Sequence, residues 1–309
     1  MKRLLGLRPV RHIAVTSALV LAVCAGVFLV QYLEFSHART TLRELSARAT
    51  ATVLHTSDDT ATVEFPLPNG KNATATVPLD ATPPKTGAHV PVGYDPSRPE
   101  RAVIPGASPL VAAERASIYA TAAVVAALLV LAVDVVVLVT RFRLPAGPAP
   151  RRVLVRRVKF QRGVLTRSWL ETGTAQPRWL PVYFSPSLIA LSSPAEAEVY
   201  GDPSRDRRVT VRIGGETLYP AGPARHSEPR GRRTDNPAEP DEERLAAAGR
   251  PVSLPRQFRV DLPVFVAAPF AGLFWALVDG TGVPGWLVVT ALIGAAGFWW
   301  ASLRGSDPS

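Results

Sequence analysis

Apolar residues gather in four long runs along this chain, and between the runs the pattern turns to short alternation. Residues 13–33 carry no charge, and residues 117–140 carry one, Asp134. Residues 262–278 form a shorter run, and 283–303 complete the set. A bilayer core about 30 Å thick takes about 20 apolar residues in a helix, so each run predicts a membrane-spanning helix. The competing reading is a helix buried in a soluble core, and it fits the short third run best. Asp279-Gly-Thr-Gly-Val-Pro284 is turn chemistry between the last two runs and predicts a helical hairpin. Pro263 and Pro269 predict a kink or an irregular start in the third span.

The first run follows a basic stretch with Lys2, Arg3, Arg8 and Arg11, as a signal peptide would. Its apolar length exceeds a typical signal core, and no small-x-small site follows. Leu21-Ala-Val-Cys24 lacks the small residue that a lipoprotein cleavage box needs before the cysteine. The first span therefore reads as an uncleaved anchor.

Between the first two runs the period changes to two. Ala49-Thr-Ala-Thr-Val53 can place alternate residues on one face. Ala61, Val63 and Phe65 alternate with Thr62 and Glu64. Asn69-Gly70 is a strong hairpin signal, and Ala73, Ala75 and Val77 continue the pattern. Val90, Val92 and Tyr94 form another set, Asp95-Pro-Ser-Arg98 turns the chain, and residues 101–104 give a last short strand. Five strands in so few residues suit a small barrel or rolled sheet.

These residues carry a resemblance. The strand Ala49-Thr-Ala-Thr-Val53, the Asn69-Gly70 hairpin and Gly87-Ala-His-Val-Pro-Val-Gly-Tyr-Asp-Pro96 resemble a widespread bacterial domain of unknown function, a small β-domain held between two membrane helices. That family closes with a Gly-x-x-Val-x-Val-x-Tyr-Asp-Pro run. The four-span layout is similar to multi-pass membrane proteins of actinobacteria. The resemblance implies a fold and a membrane setting, and no activity.

After the second run, 144–150 reads as a stiff proline-rich spacer. Arg151-Arg-Val-Leu-Val-Arg-Arg-Val-Lys-Phe160 is read as a strand with Val153 and Val155 inward. Its cations Arg151, Arg152, Arg156, Arg157 and Lys159 are candidate contacts to anionic lipid headgroups. Residues 179–184, 187–191, 197–200 and 209–213 are strand-like, and Gly214-Gly215 turns into Glu216-Thr-Leu-Tyr219. Tyr200-Gly-Asp-Pro-Ser-Arg205 echoes Tyr94-Asp-Pro-Ser-Arg98. Either one β-module occurs twice, or Asp-Pro-Ser is simply a frequent turn. Residues 221–256 are rich in Pro, Arg, Glu and Gly and predict a disordered linker, with a short helix over 240–248.

The fold class expected is an α+β membrane protein: four transmembrane helices plus one or two small all-β, barrel-like soluble domains. Charge sets the orientation. Residues 34–116 hold 8 Lys+Arg against 9 Asp+Glu, and 141–260 hold 22 against 12. Basic loops stay in the cytoplasm. The 1–12 tail, the β-rich 141–220 and both termini are therefore expected inside, and 34–116, with its core at 48–104, outside. The net charge of +10 follows from this topology rather than from nucleic-acid binding. Abundant arginine, alanine and proline suggest a high-GC bacterial genome.

Candidate chemistry is sparse. The five histidines, His12, His37, His55, His89 and His226, share no metal-ligand spacing. No nucleophile elbow, P-loop or dinucleotide fingerprint is present, and one cysteine, Cys24, makes no disulfide framework. No catalytic residue, metal or cofactor is expected. Asp134 alone breaks its local rule, since an acid inside a span costs about 2.5–3.5 kcal/mol at the helix centre. Thr16 and Ser17 lie at similar depth and are its expected partners, as helix glue or as part of an ion or proton site. Small residues four apart (Ala18, Ala22 and Gly26; Ala122 and Ala126; Ala268 and Gly272; Ala291 and Ala295) allow close helix packing or dimers. Trp286 and Trp299-Trp300 read as interfacial anchors. The leading expectation is a non-enzymatic envelope protein of the inner membrane. Its partners would be the lipid bilayer, other membrane or envelope proteins, and a second copy as a homo-oligomer. The alternative is a transport or channel component using Asp134, and nucleic acid is the least supported partner.

Overall fold

The computed structural model describes residues 6–142, 150–250 and 252–309. Lys2, Arg3 and the proline-rich spacer, apart from Pro150, lie outside the described residues. Among the described residues the chain is mixed helix and sheet, with two barrel-like sheets and four helices long and apolar enough to cross a membrane. It divides into two compact units, Cys24–Ala126 and Met1–Val23 with Ala127–Ser309.

The helix α1 spans Arg8–Glu44 and α2 spans Ser108–Arg141. Both outrun the apolar stretches that predicted them, because their polar ends continue the helix beyond the membrane-length core. In the first unit the end of α1 leads into β1 (Ala47–Thr56), β2 (Thr60–Pro66), β3 (Asn72–Pro78), β4 (His89–Asp95) and β5 (Arg98–Val103). All five expected strands are present. The sheet is antiparallel in the order β3-β2-β1-β4-β5. Its edge strands β3 and β5 approach each other, so the sheet rolls. The rolled interior holds Val53, Val63, Phe65, Val77, Val92, Tyr94 and Ile104, all buried.

In the second unit follow β6 (Arg151–Arg162), β7 (Leu165–Thr172), β8 (Trp179–Pro181), β9 (Ala195–Tyr200), β10 (Thr210–Ile213) and β11 (Glu216–Leu218). The order is β11-β10-β9-β6-β7-β8, and β12 (Arg232–Asp235) pairs with β6. Position by position, β6 to β10 repeat the connectivity of β1 to β5. Each module has two hairpins on one side of its first strand and a fourth-to-fifth hairpin on the other. The Asp-Pro-Ser-Arg turn sits at the same junction in both. In each turn the aspartate accepts from the backbone N–H two residues on, Ser97 at 2.9 Å and Ser204 at 2.9 Å. Gly214 and Gly215 take φ of +56° and +83°, a left-handed pair that side chains resist and that a two-residue hairpin needs.

Two expectations are corrected here. The segment 187–191 is not a strand, since a 3-10 turn covers Pro186–Leu188. The 221–256 stretch is not a free linker. Arg225 bridges Trp179, β12 extends the sheet, and Asn236 is buried while donating to the Leu188 and Leu191 carbonyls at 3.0 Å each. Polar composition hid this segment because its bonds run through backbone and amide groups. The short helix α3 (Glu242–Ala248) does form, capped by Asp241.

The third span begins earlier than its apolar run. Helix α4 (Leu254–Asp261), a 3-10 segment at Leu262–Ala267 containing Pro263, and α5 (Ala268–Asp279) make one stretch of 26 residues. Helix α6 (Gly282–Arg304) returns antiparallel to it. Large apolar side chains on the membrane-length helices face outward: Leu128 on α2 is 60% exposed, and Phe270 and Leu277 on α5 are 70% and 75% exposed. Such surfaces suit lipid rather than water.

Candidate functional site

Four helix ends of alternating direction gather beside the second sheet. Val10 and Ile13 at the start of α1, Val137 and Phe142 at the end of α2, and Leu303 at the end of α6 share one buried cluster with Tyr183 and Ala221. Arg141 donates to the Tyr183 hydroxyl and to the Ala221 carbonyl, both at 2.9 Å. The start of α4 joins through Gln257, which accepts from Arg8 Nη2 at 2.7 Å and donates to Ser306 Oγ at 2.7 Å.

A polar band crosses this bundle end. Asp134 Oδ1 accepts from Trp299 Nε1 at 2.9 Å. Thr16 and Ser17, the expected partners of Asp134, do not supply its hydrogen bond. Thr16 is fully buried, donates to the backbone one turn back and lies 2.8 Å from Ser302 Oγ. Ser17 Oγ is buried with no hydrogen-bond partner among the described residues. His12 Nε2 stands 3.4 Å from the buried Asp261 carboxylate, which also accepts from Gln257 and Ser306 at 3.2 Å each.

The basic strand β6 divides by side-chain direction. Arg151 pairs with Asp202 at 3.1 Å and Arg152 with Glu196 at 3.6 Å, both near the surface. Arg156 is exposed. Arg157 is 1% exposed, and the expectation of a headgroup contact fails for it. Its guanidinium donates to Ser168 Oγ at 3.2 Å, the Leu188 carbonyl at 2.9 Å, Asp307 Oδ2 at 2.8 Å and Ser309 Oγ at 2.9 Å. Lys159 Nζ donates to the Ser309 carbonyl at 3.3 Å. Burial pushes the Asp307 carboxyl up. The Arg157 charge and hydrogen bonds from Ser168 and Ser309 outweigh that and hold it below the ordinary carboxylate range. Burial also pushes the Lys159 ammonium down.

Sequence reasoning missed Asp307, the Trp299 bond to Asp134 and the His12–Asp261 pair. One signal was present: the alternation that turns Val153 and Val155 inward also turns Arg157 inward. Comparison with protein-family models, curated proteins and solved structures finds no match to this chain.

Proposed function

We propose that this chain is a non-enzymatic, four-span protein of the bacterial inner membrane that carries one β-module on each side. In this reading the first module is extracytoplasmic and meets envelope partners. The second lies in the cytoplasm, clamped to the helix ends, and receives or reports what the first one binds. The observation that carries it is the set of helix ends at the second sheet: the start of α1, the end of α2, the start of α4 and the end of α6. Four successive crossings would place those four ends on one face. The charge asymmetry between 34–116 and 141–260 supports that face being the cytoplasmic one. The shared connectivity of the two sheets supports a single module used twice, in line with the resemblance of 48–104 to a β-domain held between membrane helices. The Trp299 bond to Asp134 supports helix glue rather than an ion path.

Reporter fusions at Gly70 and Gly215 test the topology and should respond on opposite faces of the membrane. Signals on the same face would overturn it. Crosslinking from a cysteine introduced in the first module, in a Cys24→Ser background, tests the partner. An adduct with a different membrane or envelope protein is expected. Adducts with the protein itself alone would replace this reading with self-assembly.

A further inference from the structure

Outside the sites above, the β6–β7 hairpin and the end of α6 line a cavity of about 360 Å³ that opens to the surface, within the size range of small-ligand sites. Its charged lining is all arginine: Arg162, Arg167, Arg225, Arg230 and Arg304. No carboxylate lines it among the described residues, and none of the five is in an ion pair there. Trp169 and Trp300 form apolar walls. Three of the five cations rest on these rings, whereas Arg162 and Arg230 are exposed. Arg167 and Arg225 lie over the Trp169 ring, at 4.9 and 5.5 Å, and Arg304 lies 5.2 Å over Trp300. Arg167 Nε also donates to the Arg304 carbonyl at 2.7 Å.

Clustering like charges without counter-charge is costly, and the cost shows. Burial, followed by the cations Arg304, Arg225 and Arg141, pushes the Arg167 guanidinium down to about 9. Trp169 Nε1, also buried, has no acceptor among the described residues. Guanidinium forks match phosphate oxygens two at a time, and tryptophan walls suit a group that carries carbon as well as charge.

We propose that this cavity binds a phosphate ester, with the guanidiniums on the phosphate oxygens and Trp300 against the attached carbon. Two sources share that chemistry, an anionic phospholipid headgroup and a soluble phosphate ester. Trp300 and Arg304 close the fourth span, where headgroups would lie, so the lipid source rests on the membrane reading. The phosphate site itself does not.

The test uses the full chain in neutral detergent. Native mass spectrometry measures retention of phosphatidylglycerol against phosphatidylcholine, and calorimetry measures glycerol 3-phosphate. The variant Arg225→Gln/Arg230→Gln removes two cations whose side chains make no hydrogen bond among the described residues. Arg304→Gln gives a second reading, and Arg205→Gln/Arg250→Gln is a charge-matched control at exposed positions. The expected result is phosphatidylglycerol retained over phosphatidylcholine, weakened about tenfold or more in the first two variants and unchanged in the control. Binding of glycerol 3-phosphate alone, with the same variant dependence, supports the site and assigns it the soluble source. Neither probe binding, or equal loss in the control, overturns the proposal. These outcomes stand apart from the reporter and crosslinking results, which do not involve the cavity.

Discussion

The carboxylate of Asp307, just past the end of α6, lies 2.8 Å from the guanidinium of Arg157 in the middle strand of the second sheet, and both side chains are essentially inaccessible to water. The pair fastens the end of a membrane-length helix to the second sheet. Ser168 Oγ adds a 2.5 Å bond to the same carboxylate, and the Asp307 N–H donates to the Thr166 carbonyl at 2.9 Å. A helix end and a strand are thus held through charge and backbone together.

Removing one member of that pair strands the other in a dry site. Arg157→Met should cost about 3–5 kcal/mol. The double variant Arg157→Met/Asp307→Leu should recover most of that loss, because no uncompensated charge remains. Denaturation midpoints of the full chain in detergent measure both. Equal losses in the single and double variants would show that charge pairing is not what holds the tail.

The same carboxylate predicts a pH dependence with a fixed sign. Its folded-state pKa lies below the unfolded value, which is about 3.9. The stabilisation is therefore complete above about pH 4 and is lost as pH falls through the lower folded value. Asp307→Asn should be less stable than the parent at pH 7, and the gap should narrow as pH falls below about 4. A gap that is constant with pH would mean that Asp307 is not ionised in the folded chain.

Periodicity made much of this architecture legible. The strands at Val53, Val63, Val77, Val92 and Val103 follow from period-two alternation, and the four membrane-length helices from length and apolarity. The buried ion pair of the second module, Arg157 with Asp307, was harder to read than its apolar core. A strand with alternate cations reads as a solvated face until its partner is known, and that partner is 150 residues away in sequence. Asp134 illustrates a second limit. Its depth is visible in the sequence, but which helix face meets it depends on packing rotation, and that rotation presents Trp299 rather than Thr16. Trp299 was legible as an anchor and not as a donor, although its indole N–H can be both.

Helix packing in the hairpin of α5 and α6 depends on a missing side chain. A Cβ at Gly272 would collide with Thr290 Oγ1 and sit 2.8 Å from the Trp286 carbonyl. Gly272→Ala should destabilise the chain by about 1–3 kcal/mol through forced separation of the two helices. Gly26→Ala is the control, since nothing lies within 4 Å of its Cβ, and it should be neutral or slightly stabilising. Detergent denaturation of both variants checks the contrast.

The first module is small, so one core residue carries a large share of its stability. Phe65 is fully buried, with its ring 4.9 Å from that of Tyr94. Phe65→Ala should cost about 3–5 kcal/mol. The expected sign is protease cleavage within 45–107 of the full chain, while the Arg157–Asp307 module stays resistant. Unchanged resistance of the 45–107 region would mean that the rolled sheet is held by its flanking helices rather than by its core.

Asp134 and Trp299 make the sharpest distinction between glue and an ion path. If the carboxylate serves to join α2 to α6, its worth lies in accepting the indole hydrogen bond. Trp299→Phe then leaves a half-buried acceptor unmet and should cost about 1–3 kcal/mol, whereas Asp134→Asn keeps an acceptor and should cost less than about 1 kcal/mol. Replacing both partners, Asp134→Leu/Trp299→Phe, should be nearly neutral, since no polar group is then left without its bond. Denaturation of the three variants in detergent orders them. If Asp134→Asn instead keeps full stability but abolishes an ion- or proton-dependent phenotype in cells, the carboxylate is working as a titrating site and the glue assignment is wrong.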